Sequence, residues 1–333
     1  MPSHFQTGIF LISLDFELYW GVRDKRSLES YQENLHGTRE AVVDLLSLFE
    51  KWGVHATWST VGFLFQESQE SLSRTTADQL PGYRDPNLCP YRYFQGTPEL
   101  KTEFHFAEDL IQKIARTPGQ EVGTHTYSHF YCLEEGVSRE SFSEDLRLAR
   151  AVGEKSGTPP RSLVFPRNQW REEFLSLLPE HGLTCYRGVE QHPAYAATSN
   201  REQGYLRRAI RLLDTYLNLT GHHTFGPDRC GASPPFDLPA SRFLRPYSPR
   251  LRLLDPLKKR RIIQSMRHAA ARKQAFHLWW HPHNFGKHRK KNLEFLRTLL
   301  EEYGSLAAST GMRSLNMVEA AAEVSRAQAI PKR

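Results

Sequence analysis

The chain has 333 residues, 39% hydrophobic and 11% aromatic, which is enough apolar material for one large α/β domain with a sizeable core. Its mean hydropathy is −0.57 and no apolar run approaches the roughly 20 residues of a spanning helix, which excludes a helical membrane protein. The formal charge of +7 suits an anionic partner, while no dedicated nucleic-acid-binding motif accompanies it, so nucleic acid is not the expected one.

In chain order, Ile9 to Leu14 is a short apolar run that reads as a buried strand, and it runs straight into Asp15-Phe16-Glu17. Met1 to Gln6 has no basic stretch and no long apolar stretch before a cleavage site, so no export signal is expected and the reading is a cytoplasmic protein. Apolar positions Leu45, Leu46, Leu48 and Phe49 predict a helix over Thr38 to Trp52, stopped by Gly53. Strands are predicted near Ala56, Glu121, Leu163, Thr184 and Phe276. Helices are predicted at Phe106 to Ala115, Asp145 to Lys155, Arg171 to His181, Leu257 to Arg272 and Asn292 to Tyr303. The alternation suits an irregular (β/α) barrel in a single domain covering 1–333, with the polar motifs at the C-terminal ends of the strands. Two stretches exceed a bare barrel, Gln66 to Lys101 and Gln191 to Pro256, and are assigned to substrate selection for their Tyr and Arg content.

Arg242 to Lys273 holds eleven Lys or Arg and one acid, Asp255, which reads as attraction to a nucleotide diphosphate, a lipid pyrophosphate or an anionic membrane face. Cys89, Cys132, Cys185 and Cys230 have no C-x-x-C spacing and read as free thiols of a reducing compartment.

Side chains two apart on a strand point the same way, so Asp15 and Glu17 converge, and both stay ionised only with a cation or proton between them. His125 and His129, four apart, would meet on one face of a helical turn and suit zinc or a similar ion. Two histidines and one carboxylate leave a position open for water.

These motifs, in order, make the chain resemble the polysaccharide deacetylase family, the NodB-homology group of carbohydrate esterase family four. The likeness runs through Leu11 to Glu17, Gly53 to Trp58 with Val61-Gly62, Gly123 to His129, Phe165 to Asn168 and Leu278 to Pro282. It implies that family's (β/α) barrel and a metal-dependent amide hydrolase removing an acyl group, most simply acetyl, from an amino sugar. Carried over by position, it implies Asp15 as general base, Glu17, His125 and His129 as metal ligands, Arg167 as the cation paired with Asp15, and His281 as general acid, with His283 competing for that role. The implied cofactor is a divalent metal, zinc first, with cobalt, nickel or manganese as alternatives. Trp20, Tyr131, Trp280, His283 and Arg245 are the expected substrate contacts.

Three departures stand out. Phe16 occupies the place of a second aspartate, the R-x-P-x-G wording is missing, and no D-x-x-D-W motif is present, which leaves Asp214 and Asp237 as candidates for the partner orienting the acidic histidine. The Asp15 to Gly21 wording also looks like deacetylase-like proteins of O-antigen or capsule biosynthesis, which implies a nucleotide- or lipid-linked sugar as substrate and peripheral contact with the inner membrane face. Rival readings are another C–N hydrolase of the same fold, such as a deformylase or cyclic amidase, and a catalytically silent sugar-binding protein.

Overall fold

The computed structural model describes residues 4–75, 77–198 and 204–329. Its strands are β1 (Ile9–Phe16), β2 (Ala56–Thr60), β3 (Gln120–Thr124), β4 (Ser162–Val164), β5 (Cys185–Arg187), β6 (Phe236–Asp237), β7 (Arg242–Phe243), β8 (Ala275–Trp280) and β9 (Arg313–Leu315). They form one parallel sheet in the order β6-β5-β4-β3-β2-β1-β8-β7, with β9 added beside the start of β1. The sheet curls, and a single extended segment joins its two edges. The amides of Phe236, Leu238 and Ala240 donate to carbonyls of Thr184, Tyr186 and Gly188, then those of Ser241 and Leu244 donate to His277 and Trp279. The expected irregular (β/α) barrel is thus what the chain forms, with this seam in place of regular closure.

Strand alternation sorts the side chains into two environments. Phe10, Ile12, Leu14 and Phe16 of β1 pack outward into the large core under the helices, whereas Ile9 and Leu11 face the barrel interior with Cys185, Phe236 and Ala275. Continuing the inward parity upward gives Ser13, Asp15 and Glu17, so the barrel axis changes from apolar to polar toward the C-terminal rim. In β8, paired with β1 as Ile9↔Ala275, Leu11↔His277 and Ser13↔Trp279, the inward residues are Ala275, His277 and Trp279. Trp280 faces outward, stacked on Phe285 and edge-on to Phe49. The opposite end of the barrel is covered by the helix Met317–Ala329, whose first amides donate to Thr57 and to the half-buried Glu121.

The first long helix spans Leu28–Trp52, capped by Ser27 at one end and left-handed Gly53 at the other. Its first ten residues have few apolar side chains, so periodicity starts the helix too late. Gly37 lets this part approach the turn after β8, since a Cβ there would lie 2.3 Å from the Gly286 carbonyl oxygen. Arg171 to His181 forms two single turns instead of one helix. The segment from Gln66 to Lys101 is packed structure and not a bare surface loop: Tyr83, Leu88, Tyr91, Phe94 and Leu100 are buried in the core. The basic stretch is also partly internal. Arg242 and Arg261 pair with buried Asp214, and Lys258 lies over Phe295 and pairs with Asp255. No described helix is long and apolar enough to cross a membrane.

Gly37→Ala is expected to lower stability by about 1–3 kcal/mol through overpacking against a backbone carbonyl, read by chemical denaturation. An unchanged midpoint would show that the helix shifts freely.

Candidate active site

At the polar end of the barrel Asp15 is buried and bound bidentately by a guanidinium, but the cation is Arg187 of β5, with N···O distances of 2.7 and 2.8 Å. This corrects the pairing expected for Arg167. The chain turns through left-handed Arg167 (φ 57°) and Asn168 (φ 52°) after β4, and Arg167 bonds Asp24 and lies 3.9 Å over the Tyr131 ring. Asn168 takes up the other side of Arg187, accepting at 3.0 Å, and the Trp279 ring lies 4.2 Å from the guanidinium. Burial alone would raise the Asp15 carboxyl, but Arg187, with His125 and His281, outweighs it and holds it below its ordinary 3.8. Arg187 also donates to Ser13 Oγ, which lies 2.9 Å from His277 Nε2, and His277 Nδ1 lies 3.1 Å from the Leu238 carbonyl. Burial pushes His277 down to about 3, so the ring is neutral and this polar column is charged only at the Asp15–Arg187 pair.

The donor atoms of Glu17, His125 and His129 lie within 4.8 Å of one another, and all three side chains are buried. Glu17 Oε2 is 2.9 Å from His129 Nε2 and 3.3 Å from His125 Nε2. The histidines do not share a helical turn: 125–131 is an irregular loop with left-handed Thr126 (φ 64°) and His129 (φ 59°). It is tied down by Asp145, whose carboxylate accepts from the Tyr127 amide at 2.6 Å, the Ser128 amide at 3.1 Å and the Ser128 hydroxyl. Asp145 comes from the helix Arg139–Lys155, and burial pushes its carboxyl up to about 7 against those donors.

The donor set fits a divalent metal. His125 Nδ1 donates to the Val164 carbonyl at 2.8 Å, which leaves Nε2 bare and without a hydrogen-bond partner in the cluster. Burial pushes His129 down to about 4, so its ring is a neutral donor, held edge-on by Tyr131. Burial would raise Glu17, but His281, His125 and His129 outweigh it and hold the carboxyl well below its ordinary 4.5. Gly21 leaves room for that carboxylate, since a Cβ there would sit 1.9 Å from Glu17 Cδ.

His281 follows β8 with its side chain 24% exposed, and its Nε2 lies 3.7 Å from both Asp15 Oδ2 and Glu17 Oε1. His283 is buried beside it, with Nδ1 at 3.9 Å from Glu17 Oε1 and the two rings stacked at 5.0 Å. A turn at Pro282, not strand alternation, brings them together. The neighbour of His281 Nδ1 is Asn284, at 3.4 Å; Asp214 is bound by Arg242 and Tyr195, and Asp237 abuts Gly188, so neither expected aspartate orients the ring. Trp20 and Trp280 are corrected as substrate contacts, because both are fully buried in the core and Trp20 donates to the His105 carbonyl. Tyr131 is also buried and supports Arg167 and His129, while Arg245 lines an open cavity with Trp279. The residues that sequence reading missed here are Arg187, Trp279 and Asp145. Inward parity on β5 and β8 marks the first two.

The polysaccharide deacetylase family model matches residues 36–186, in agreement with the resemblance carried by the motifs. No curated protein matches the sequence. A Mycobacterium smegmatis protein described as a polysaccharide deacetylase superposes with a TM-score of 0.60 at 15% identity, over 100% of this chain and 97% of its own. A Pseudomonas aeruginosa PAO1 protein with the same description gives 0.55 at 12% identity, over 96% and 91%. PuuE allantoinase gives 0.55 at 12% identity, over 95% and 89%. At these identities the likeness is one of fold, the NodB-type (β/α) barrel.

Arg187→Met leaves a buried carboxylate unpaired and is expected to cost about 3–5 kcal/mol at neutral pH. Since the Asp15 carboxyl lies below 3.8 in the fold, the pair stabilises above that pH and its contribution is lost as the pH falls through the folded value. The deficit of the variant, followed by denaturation across pH, should therefore narrow in acid. Asp145→Ala frees the histidine loop and should weaken cobalt or zinc binding, titrated by absorbance or calorimetry, by about 10–100-fold, the usual cost of losing an outer partner of a metal site.

Proposed function

We propose that the chain is a metal-dependent deacylase that hydrolyses the N-acyl, most simply N-acetyl, amide of an amino sugar. The observation that carries this reading is an ionised carboxylate, Asp15, fixed bidentately by Arg187 beside a Glu17, His125 and His129 cluster, with a part-exposed His281 facing both. A divalent metal, zinc first, held by Glu17, His125 and His129 would supply a Lewis acid and a nucleophile at neutral pH.

The protein groups divide the proton transfers. Asp15, kept charged by Arg187, accepts the proton of the attacking water. His281, within reach of both carboxylates and part-exposed, donates a proton to the departing amine nitrogen. His283 packs behind His281 and is fully buried, which favours His281 as the donor. Burial holds His283 down to about 3, so it stays uncharged at neutral pH and leaves Glu17 free to act as a ligand. Arg167 and Asn168 form the adjoining wall.

The substrate in this reading is a nucleotide- or lipid-linked precursor of a surface polysaccharide such as O-antigen, handled in the cytoplasm or at the inner membrane face. The Asp15 to Gly21 wording and four buried free cysteines support that setting. A second reading, hydrolysis of another C–N amide, is supported by the shared fold of PuuE allantoinase.

Amine release is measured from a panel of N-acetyl and N-formyl amino sugars and cyclic amides after chelation and metal restoration. Asp15→Asn is expected to lower kcat by about 10²–10⁴-fold, and His125→Ala to abolish metal-dependent release. Release from the cyclic amides alone would select the second reading. No release from any substrate with metal bound would make the chain a silent binding protein.

A further inference from the structure

A cavity of about 440 Å³ opens beside His281, walled by Arg167, Asn168, Glu190, Phe243, Trp279 and, from the helix Tyr205–Asp214 and its surroundings, Arg208, Arg211, Thr215, Arg242 and Arg245. Phe243 and Trp279 line it and also pack on the His281 ring, at centroid distances of 5.9 and 5.7 Å, so the cavity adjoins the proposed deacylation site across these two rings. Five arginines share it. Arg167 is matched by Asp24 and Arg242 by Asp214, whereas Arg208, Arg211 and Arg245 have no carboxylate within ion-pair distance among the described residues. Arg245 is positioned by a hydrogen bond from Nε to Thr215 Oγ1 at 2.9 Å, leaving its terminal nitrogens for another acceptor. Glu190 is the one acid in the lining, buried near Arg242, Arg187 and Arg211. Such a surplus of guanidinium groups calls for an anion of more than one charge, and their planar forks match phosphate oxygens. The volume exceeds that of a lone phosphate.

We infer that this cavity seats the phosphate or diphosphate ester of a glycosyl phosphate, holding the acylamino group of the same sugar against His281. The inference rests on the deacylase reading, which it deepens by assigning the residues that hold the phosphate of its substrate. Binding of inorganic pyrophosphate is measured by calorimetry for the wild type, Arg245→Gln and the Arg211→Gln/Arg245→Gln pair, each checked for an unchanged far-ultraviolet spectrum. Exposed Arg208→Gln serves if the others misfold. Loss of affinity by 10-fold or more in the pair, on the order of one charge-assisted contact per arginine, is expected. Undetectable binding, or equal binding by all variants, overturns the site.

A nucleoside diphosphate N-acetylhexosamine and a detergent-dispersed prenyl diphosphate N-acetylhexosamine are then compared as competitors. Displacement of pyrophosphate by either supports the site and names its source, and displacement by neither overturns it. Equal kcat/KM for phosphorylated and neutral sugars overturns the site and leaves the deacylase standing. Arginine-dependent binding without any hydrolysis removes the deacylase and leaves the site.

A separate observation concerns the rim. Among the described residues, apart from Leu80, every exposed large hydrophobic side chain lies in 205–219 or 251–257, including Tyr205 at 90%, Leu206 at 74%, Leu213 at 52% and Leu253 at 83%. Arg245 donates to Thr215 Oγ1 of the first segment and its carbonyl accepts from Lys258, next to the second, which makes the two stretches neighbours. Exposed Arg250 and Arg252 alternate with Leu251 and Leu253, and exposed Lys259 and Arg260 follow Leu257. Apolar side chains set among cations match an anionic bilayer face. We propose that this rim docks on an anionic lipid surface.

Sedimentation with phosphatidylcholine vesicles, with and without phosphatidylglycerol, tests it against Leu213→Asp/Leu253→Asp. Binding that needs phosphatidylglycerol and is lost in the variant is expected. Absent or lipid-indifferent binding overturns it, as does a wild-type dimer that the variant dissolves, which would assign the rim to a second copy of this chain.

Discussion

Everything at the polar end of this barrel depends on two charges being buried together. Neither Asp15 nor Arg187 is tolerable alone inside a sheet, since an unpaired charge out of water is costly enough to lose its ionisation or unfold its surroundings. Together, with two parallel hydrogen bonds, they fix each other's geometry. The pair is braced from three strands, by Ser13 on β1, Trp279 on β8 and Asn168 after β4. The relay through Ser13 and His277 continues to the Leu238 carbonyl at the seam, so the catalytic carboxylate of the proposed mechanism and the closure of the barrel belong to one hydrogen-bonded column.

Around that column the backbone is bent where the chemistry needs it. Leu18, Thr126, His129, Arg167 and Asn168 all adopt left-handed conformations without being glycine. Strain of this kind persists only where surrounding contacts over-determine it. Here the contacts are identifiable: Asp145 grips the histidine loop, and Gly62 and Phe63 donate amides to the Thr126 and Tyr127 carbonyls. The loop is presented by a rigid rim instead of hanging from it.

The sequence disclosed the parts whose signal is local. The run Ile9 to Leu14 ending in two carboxylates, the paired histidines and the strand leading to His281 each carry their meaning within a few residues. Arg187 carries none: in Cys185-Tyr186-Arg187 only the shared face of Cys185 and Arg187 hints that the arginine points inward, and only the sheet order puts it opposite Asp15. Arg167 occupied the expected motif, but two left-handed residues turn it toward Asp24. Trp279 and Trp280 are adjacent letters with opposite fates, decided by register against β1. The tyrosines of 83–93 looked like a sugar-binding surface because composition does not say which face an aromatic ring will find, and the core claimed them.

The segment that bridges β5 and β8 has a thermodynamic consequence. It holds the curled sheet together through short pairings only, and it also supplies Phe243 to the cavity wall. A ligand seated against Phe243 therefore binds the closed barrel and not an opened one. By mass action its free energy of binding is added to the cohesion of the seam, and ligand occupancy and barrel integrity become two readings of a single equilibrium.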